Sequence, residues 1–180
     1  MRLARPASAL RFPRVNTSDS FQSIKRDAML GALSIAAVGA ASVLGQLATY
    51  PNLVPWYAGL AKPSFNPPNT VFAPVWTALY LMMAFAVWRI LRLPPSLERR
   101  NALVLFASQL VLNAAWSWMF FAAQSPALGM LNIVPQLIVI VCAIVAFGRL
   151  DRLAALCLMP LAAWVAFASA LNFEIWRLNG

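Results

Sequence analysis

Five stretches of about 20 residues pass through this sequence without a Lys, Arg, Asp or Glu, at 28–49, 71–88, 102–123, 128–147 and 153–173. A helix of about that length crosses roughly 30 Å of hydrocarbon. In lipid, such a run must satisfy its own backbone N–H and C=O groups, which a helix does within a single segment. The expected fold is therefore all-α, an integral membrane bundle of five transmembrane helices. Composition agrees: 62% of residues are apolar, 11% are charged and the mean hydropathy is +0.72. A soluble core does not need that much apolar surface.

The formal charge of +9 would raise nucleic acid as a partner in a soluble chain. Its distribution says otherwise. All but Lys62 and Arg177 of the 14 basic residues fall before the first run, between the second and third, or between the fourth and fifth. This alternation places the N-terminus in the cytoplasm by the positive-inside rule and leaves no role for nucleic acid. Contact with anionic membrane lipid is the expected by-product. Residues 1–27 are expected to form a basic, disordered tail, read equally as a transit peptide or a cytoplasmic appendage. No secretory signal with a short apolar core and cleavage site is found there. Residues 28–180 form the membrane domain. A bacterial membrane is the preferred location, with an organelle outer membrane second.

The chain contains no His, and its two cysteines, Cys142 and Cys157, both lie inside apolar runs. Metal centres and Ser-His or Cys-His nucleophiles thus lack their commonest members. No metal site and no required cofactor are expected.

The first run has small residues four apart at Ala32, Ala36 and Ala40, and again at Ala41 and Gly45. This spacing lets helices approach closely, within the bundle by preference or across to another subunit. Between the first two runs, residues 50–69 hold Pro51, Pro55, Pro63, Pro67 and Pro68 together with Trp56, Tyr57 and Phe65. Five prolines forbid an uninterrupted helix and stiffen the segment. It reads either as an aromatic belt at headgroup level or as a lid over a cavity between helices.

In the second run, where Pro74 is expected in the first helical turn, Trp76, Tyr80, Met83 and Val87 share a helical face. In the third run Gln109, Asn113, Trp116 and Phe120 do the same. Amides one turn apart in a membrane helix turn inward, whether to bond a neighbouring helix or to meet a ligand. The short QSPAL connection makes the third and fourth runs an antiparallel hairpin, and Asn132, Pro135 and Gln136 are expected to loosen the first turns of the fourth. In the fifth, Trp164, Ala168, Leu171 and Asn172 run down one side. A small residue among bulky ones leaves room for a flat molecule or for a neighbouring helix.

The segment WYAGLAKPSFNPPNTVFAPVWTALYLMM (56–83) resembles the signature of the translocator protein family, also called TspO or the peripheral-type benzodiazepine receptor family. LNAAWSWMFF (112–121) and PLAAWVAFASALNFEIWRLN (160–179) follow in the family's order. The resemblance implies a five-helix bundle, commonly a homodimer, that binds porphyrins such as protoporphyrin IX, sterols and synthetic isoquinolines under its first loop. It implies a bacterial-type member with Trp76 and Tyr80 on the pocket floor, Asn113 and Trp116 lining it, Trp164, Ala168 and Leu171 as a wall, and Trp56 in the lid. Two positions depart from the family. Phe173 stands where the proposed sterol motif has Tyr, and Thr70 stands where many relatives have Trp.

The leading expectation is a membrane binding protein, with transport or sensing built on that binding, for porphyrins and related flat hydrophobic ligands. Charge-coupled transport has no ionisable residue within the runs to use. The alternatives are a light-driven porphyrin-degrading enzyme with Trp76 and Trp164 as electron donors, a sterol or lipid carrier, and a regulatory membrane partner. No catalytic residue is otherwise assigned.

Overall fold

A computed structural model describes residues 17–180, with side chains from residue 21 onward. Five helices form the chain: α1 Thr17–Thr49, α2 Asn69–Leu91, α3 Leu97–Ser117, α4 Pro126–Leu150 and α5 Arg152–Asn179. Each contains a segment long and apolar enough to cross a membrane. The protein is an integral, multi-pass membrane protein in architecture.

Local chemistry sets the helix starts. Ser96 Oγ accepts from Arg99 N at 3.1 Å, Ser125 Oγ from Leu128 N at 3.3 Å and Asp151 Oδ1 from Ala154 N at 3.0 Å. Each cap satisfies one of the N–H groups that a helix start leaves unpaired. Pro126 follows its cap, where a missing N–H costs nothing. Because α4 begins there, Asn132, Pro135 and Gln136 lie within the helix rather than at its opening, and the two amides are buried.

Three expectations about the first half of the chain are corrected. Residues 17–27, expected to be disordered, belong to α1. The segment has no Gly or Pro, and its end is anchored to α2: Trp88 Nε1 donates to the Asp27 carbonyl at 3.1 Å, and Arg92 pairs with Asp27 at 2.8 Å. The rest of the expected tail, residues 1–16, lies outside the described residues. The 50–69 segment is not irregular throughout. α1 passes into a 3-10 turn at Tyr50–Asn52 and a π turn at Leu53–Tyr57, interrupted by extended Val54 (φ −132°, ψ 128°). Irregular chain begins at Leu60. Since α2 starts at Asn69, Pro74 falls in its second turn rather than its first.

The helices close into a ring in the order α1, α2, α5, α4, α3, with α3 returning to α1; α2 and α3 touch only slightly. One core fills the ring at the Arg-rich end, where Met83, Ile90, Phe147 and Leu158 are buried. A second, aromatic cluster at the other end gathers Tyr57, Phe120, Phe121, Leu171 and Ile175. In lipid an apolar side chain gains little by leaving its surroundings, and an interhelical hydrogen bond is worth about 0.6 kcal/mol, so close packing must hold the ring. The two small-residue runs of α1 divide accordingly. Ala41 and Gly45 turn inward, and a Cβ on Gly45 would stand 3.2 Å from Ser117 Oγ, whereas Ala32, Ala36 and Ala40 are exposed.

Candidate functional site

Between the two clusters the ring encloses a cavity of about 460 Å³, within the range of small-molecule pockets. Trp76 and Tyr80 of α2, Asn113 and Trp116 of α3, and Trp164, Ala168 and Leu171 of α5 all line it. Seven residues singled out from the sequence thus share one wall, because each row occupies the inward face of its helix. The eighth, Trp56, does not line the cavity. It packs behind the wall on Phe120 (centroids 5.4 Å apart) and Phe121 (6.2 Å), and its buried neighbour Tyr57 takes the cavity position. The π turn that ends α1 decides which of the two consecutive aromatics points inward.

The aromatic surfaces are held in orientation. Trp76 stacks on Tyr80 at 5.4 Å, Trp116 on Phe120 at 4.9 Å, and Phe72 meets Trp164 edge-on at 5.9 Å. Polar groups fix them further. Tyr80 OH donates to Asn113 Oδ1 at 2.9 Å, and Trp116 Nε1 donates to Asn172 Oδ1 at 3.1 Å. Asn172 Nδ2 donates in turn to the Pro126 carbonyl at 2.8 Å, which joins α3, α5 and α4. Gln136 also reaches the wall, whereas Gln109 sits deeper, donating to Met83 Sδ at 3.5 Å. Both amides are buried.

Among the described residues no charged side chain lines the cavity. Lys62 directs Nζ at the carbonyls of Tyr57 (2.6 Å) and Leu60 (3.0 Å), stopping the broken helix end. The irregular segment after α1 is tied down at Asn179, whose Oδ1 accepts from Ala61 N and whose Nδ2 donates to Ala61 O, both at 2.9 Å. Phe65 packs on Phe167 at 6.3 Å. Thr70 and Phe173 are both exposed and outside the cavity wall.

The wall is not closed all round. Gln46 of α1 and Ala73 and Thr77 of α2 line the cavity and are also exposed on the outer surface. The cavity therefore reaches the outside of the ring between α1 and α2, at a level where lipid would stand.

Among the described residues no cluster of His, Cys, Asp or Glu could hold a metal ion. The chemistry available is stacking, apolar contact and hydrogen bonding to amides and hydroxyls.

Sequence reasoning did not single out Tyr57, Phe72 or Gln136 as cavity residues. Phe72 and Gln136 lie one helical turn from Trp76 and Asn132 respectively, so the same periodicity could have found them; Tyr57 depends on the break after α1.

A profile described as the TspO/MBR family matches residues 32–177. "Tryptophan-rich protein TspO" of Chlorobaculum tepidum is 46% identical over 69% of this chain and 79% of its own length. "Translocator protein" of Sus scrofa is 40% identical over 69% of this chain and 75% of its own. "Tryptophan-rich sensory protein" of Cereibacter sphaeroides is 35% identical over 81% and 88%. With its five-helix ring and a profile match spanning most of its length, this chain belongs to the TspO/MBR family.

Proposed function

We propose that this membrane protein binds porphyrins and related flat, hydrophobic ligands in the cavity at the centre of the ring. The observation that carries the reading is the placement of Trp76, Tyr80, Trp116 and Trp164 around one space with the small Ala168 in its wall. Aromatic faces offer a planar macrocycle offset stacking worth about 0.5–1.5 kcal/mol per pair beyond burial. Asn113 and Gln136 supply the few polar contacts that orient a ligand in an apolar pocket. The gap between α1 and α2 supplies a route from the lipid phase, and uncharged walls suit facilitated movement or sensing rather than ion-coupled pumping.

The test is quenching of tryptophan fluorescence by protoporphyrin IX in detergent-solubilised protein. Wild type should show saturable quenching, and Ala168→Phe, which fills the space, should weaken affinity at least about tenfold, the equivalent of 1.4 kcal/mol. Equal affinity in the variant would remove the central cavity as the binding place.

A further inference from the structure

A second cleft, of about 470 Å³, opens at the Arg-rich end where α1, α2 and α5 meet, lined by Ser23, Arg26, Asp27, Arg89, Arg92 and Asp151. Its charges do not cancel. Arg89 pairs with Asp151 at 2.7 Å and Arg92 with Asp27 at 2.8 Å. Among the described residues the third guanidinium, Arg26, reaches only a carbonyl, donating from Nη2 to Arg92 O at 3.3 Å. A carbonyl does not neutralise a cation, so the described residues leave the cleft one excess positive charge. Arg92 is also left with donors to spare, its side chain 43% exposed while it packs over the Trp88 ring at 4.6 Å.

Depth adds to charge. The uncharged run of α2 ends at Trp88, directly before the cleft residues Arg89 and Arg92, and Trp88 has its indole N–H turned to the Asp27 carbonyl. An amphipathic Trp at the end of a span marks headgroup level. Guanidinium forks match phosphate oxygens in geometry and charge.

We infer that this cleft is a binding site for a phosphate group, held between the guanidiniums of Arg26 and Arg92 at the membrane boundary. Two sources present that chemistry: the headgroup of an anionic phospholipid, and free phosphate. The Arg89–Asp151 pair forms the far wall, and the bound anion offsets the repulsion that otherwise acts between Arg26 and Arg92.

The full chain in neutral detergent, titrated with phosphatidylglycerol or phosphatidylcholine and read by native mass spectrometry, tests this. Wild type should retain phosphatidylglycerol over phosphatidylcholine. R26Q should lose about fivefold in that preference and R26Q/R92Q about 25-fold, at about fivefold for each arginine at a charged boundary. R149Q/R152Q, which removes the same charge from the same end outside the cleft, should lose clearly less than R26Q/R92Q. Because R92Q also breaks the pair with Asp27, R26Q alone is the decisive variant. Adding millimolar inorganic phosphate separates the sources: persistence of the lipid identifies a headgroup site, and its displacement identifies a site that free phosphate also fills. An unchanged preference in R26Q, equal losses in R26Q/R92Q and R149Q/R152Q, or no lipid preference in wild type would overturn the assignment.

Discussion

The indole of Trp116 on α3 donates to Oδ1 of Asn172 on α5 at 3.1 Å, across the wall of the central cavity. Asn172, only 1% exposed, passes its own N–H to the Pro126 carbonyl at the start of α4. One amide thus spans three helices. Asn172→Leu would leave the Trp116 N–H and the Pro126 carbonyl, both partly buried, without these partners, at about 0.6 kcal/mol for each interhelical bond lost. A fall in melting temperature in detergent is expected, together with weaker porphyrin quenching, because the Trp116 face is no longer held.

Gly129 sits against the same amide. An added Cβ would stand 2.5 Å from Asn172 Oδ1 and 2.9 Å from Phe120 Cδ2. Neither neighbour can move freely: the first is bonded on both sides, and the second is stacked on Trp116. Gly129→Ala should therefore destabilise by about 1–3 kcal/mol, the usual cost of overpacking. A thermal-unfolding midpoint equal to wild type would contradict this geometry.

Trp56 and Tyr57 offer a contrast between neighbours. Trp56 packs on Phe120 and Phe121 outside the cavity, and Tyr57 lines it. Trp56→Ala should lower stability by about 2 kcal/mol, below the cost of truncating a fully buried aromatic, with ligand affinity little changed. Tyr57→Ala should weaken affinity. Titrations of both variants with protoporphyrin IX would separate the roles, and the reverse ranking would place Trp56 at the ligand.

Thr77 flanks the gap between α1 and α2. If ligand enters there, Thr77→Trp should slow association in stopped-flow quenching by about tenfold while changing equilibrium affinity far less, since a blocked gap slows both directions. Unchanged association kinetics would point to entry past the lid.

At the opposite end, Asp151 accepts from Arg89 Nε at 2.7 Å and caps α5. Hydrogen bonding from Arg89 leads the causes that hold its carboxyl below the usual carboxylate range, against some burial. A depressed pKa contributes stability that is present above the unfolded value, near 3.9, and is lost as pH falls through the folded value. The melting-point difference between wild type and Asp151→Asn should stay constant from about pH 7 to pH 5 and shrink below about pH 4. A difference that grew in acid would reverse the sign.

The sequence by itself determined the number of helices and the inward face of most of them. Uncharged runs can hide their backbone in lipid only as helices, and rows such as Trp76–Tyr80 and Trp164–Ala168 repeat at the helical period. Seven of the eight candidate residues lie on faces that this period picks out, while their reading as a pocket came from the family resemblance. Tertiary structure decided what periodicity does not reach. The broken turns after Thr49 choose Tyr57 over Trp56, because a π turn and an extended Val54 rotate the chain out of helical register. The stretch of α1 ahead of its apolar run is anchored where Asp27 meets Trp88 and Arg92 of the next helix, a contact between segments distant in sequence. The ring order, with α5 between α2 and α4, depends on packing between segments distant in sequence. That order makes the cavity, since it brings three inward faces around one space, and no single helix records it.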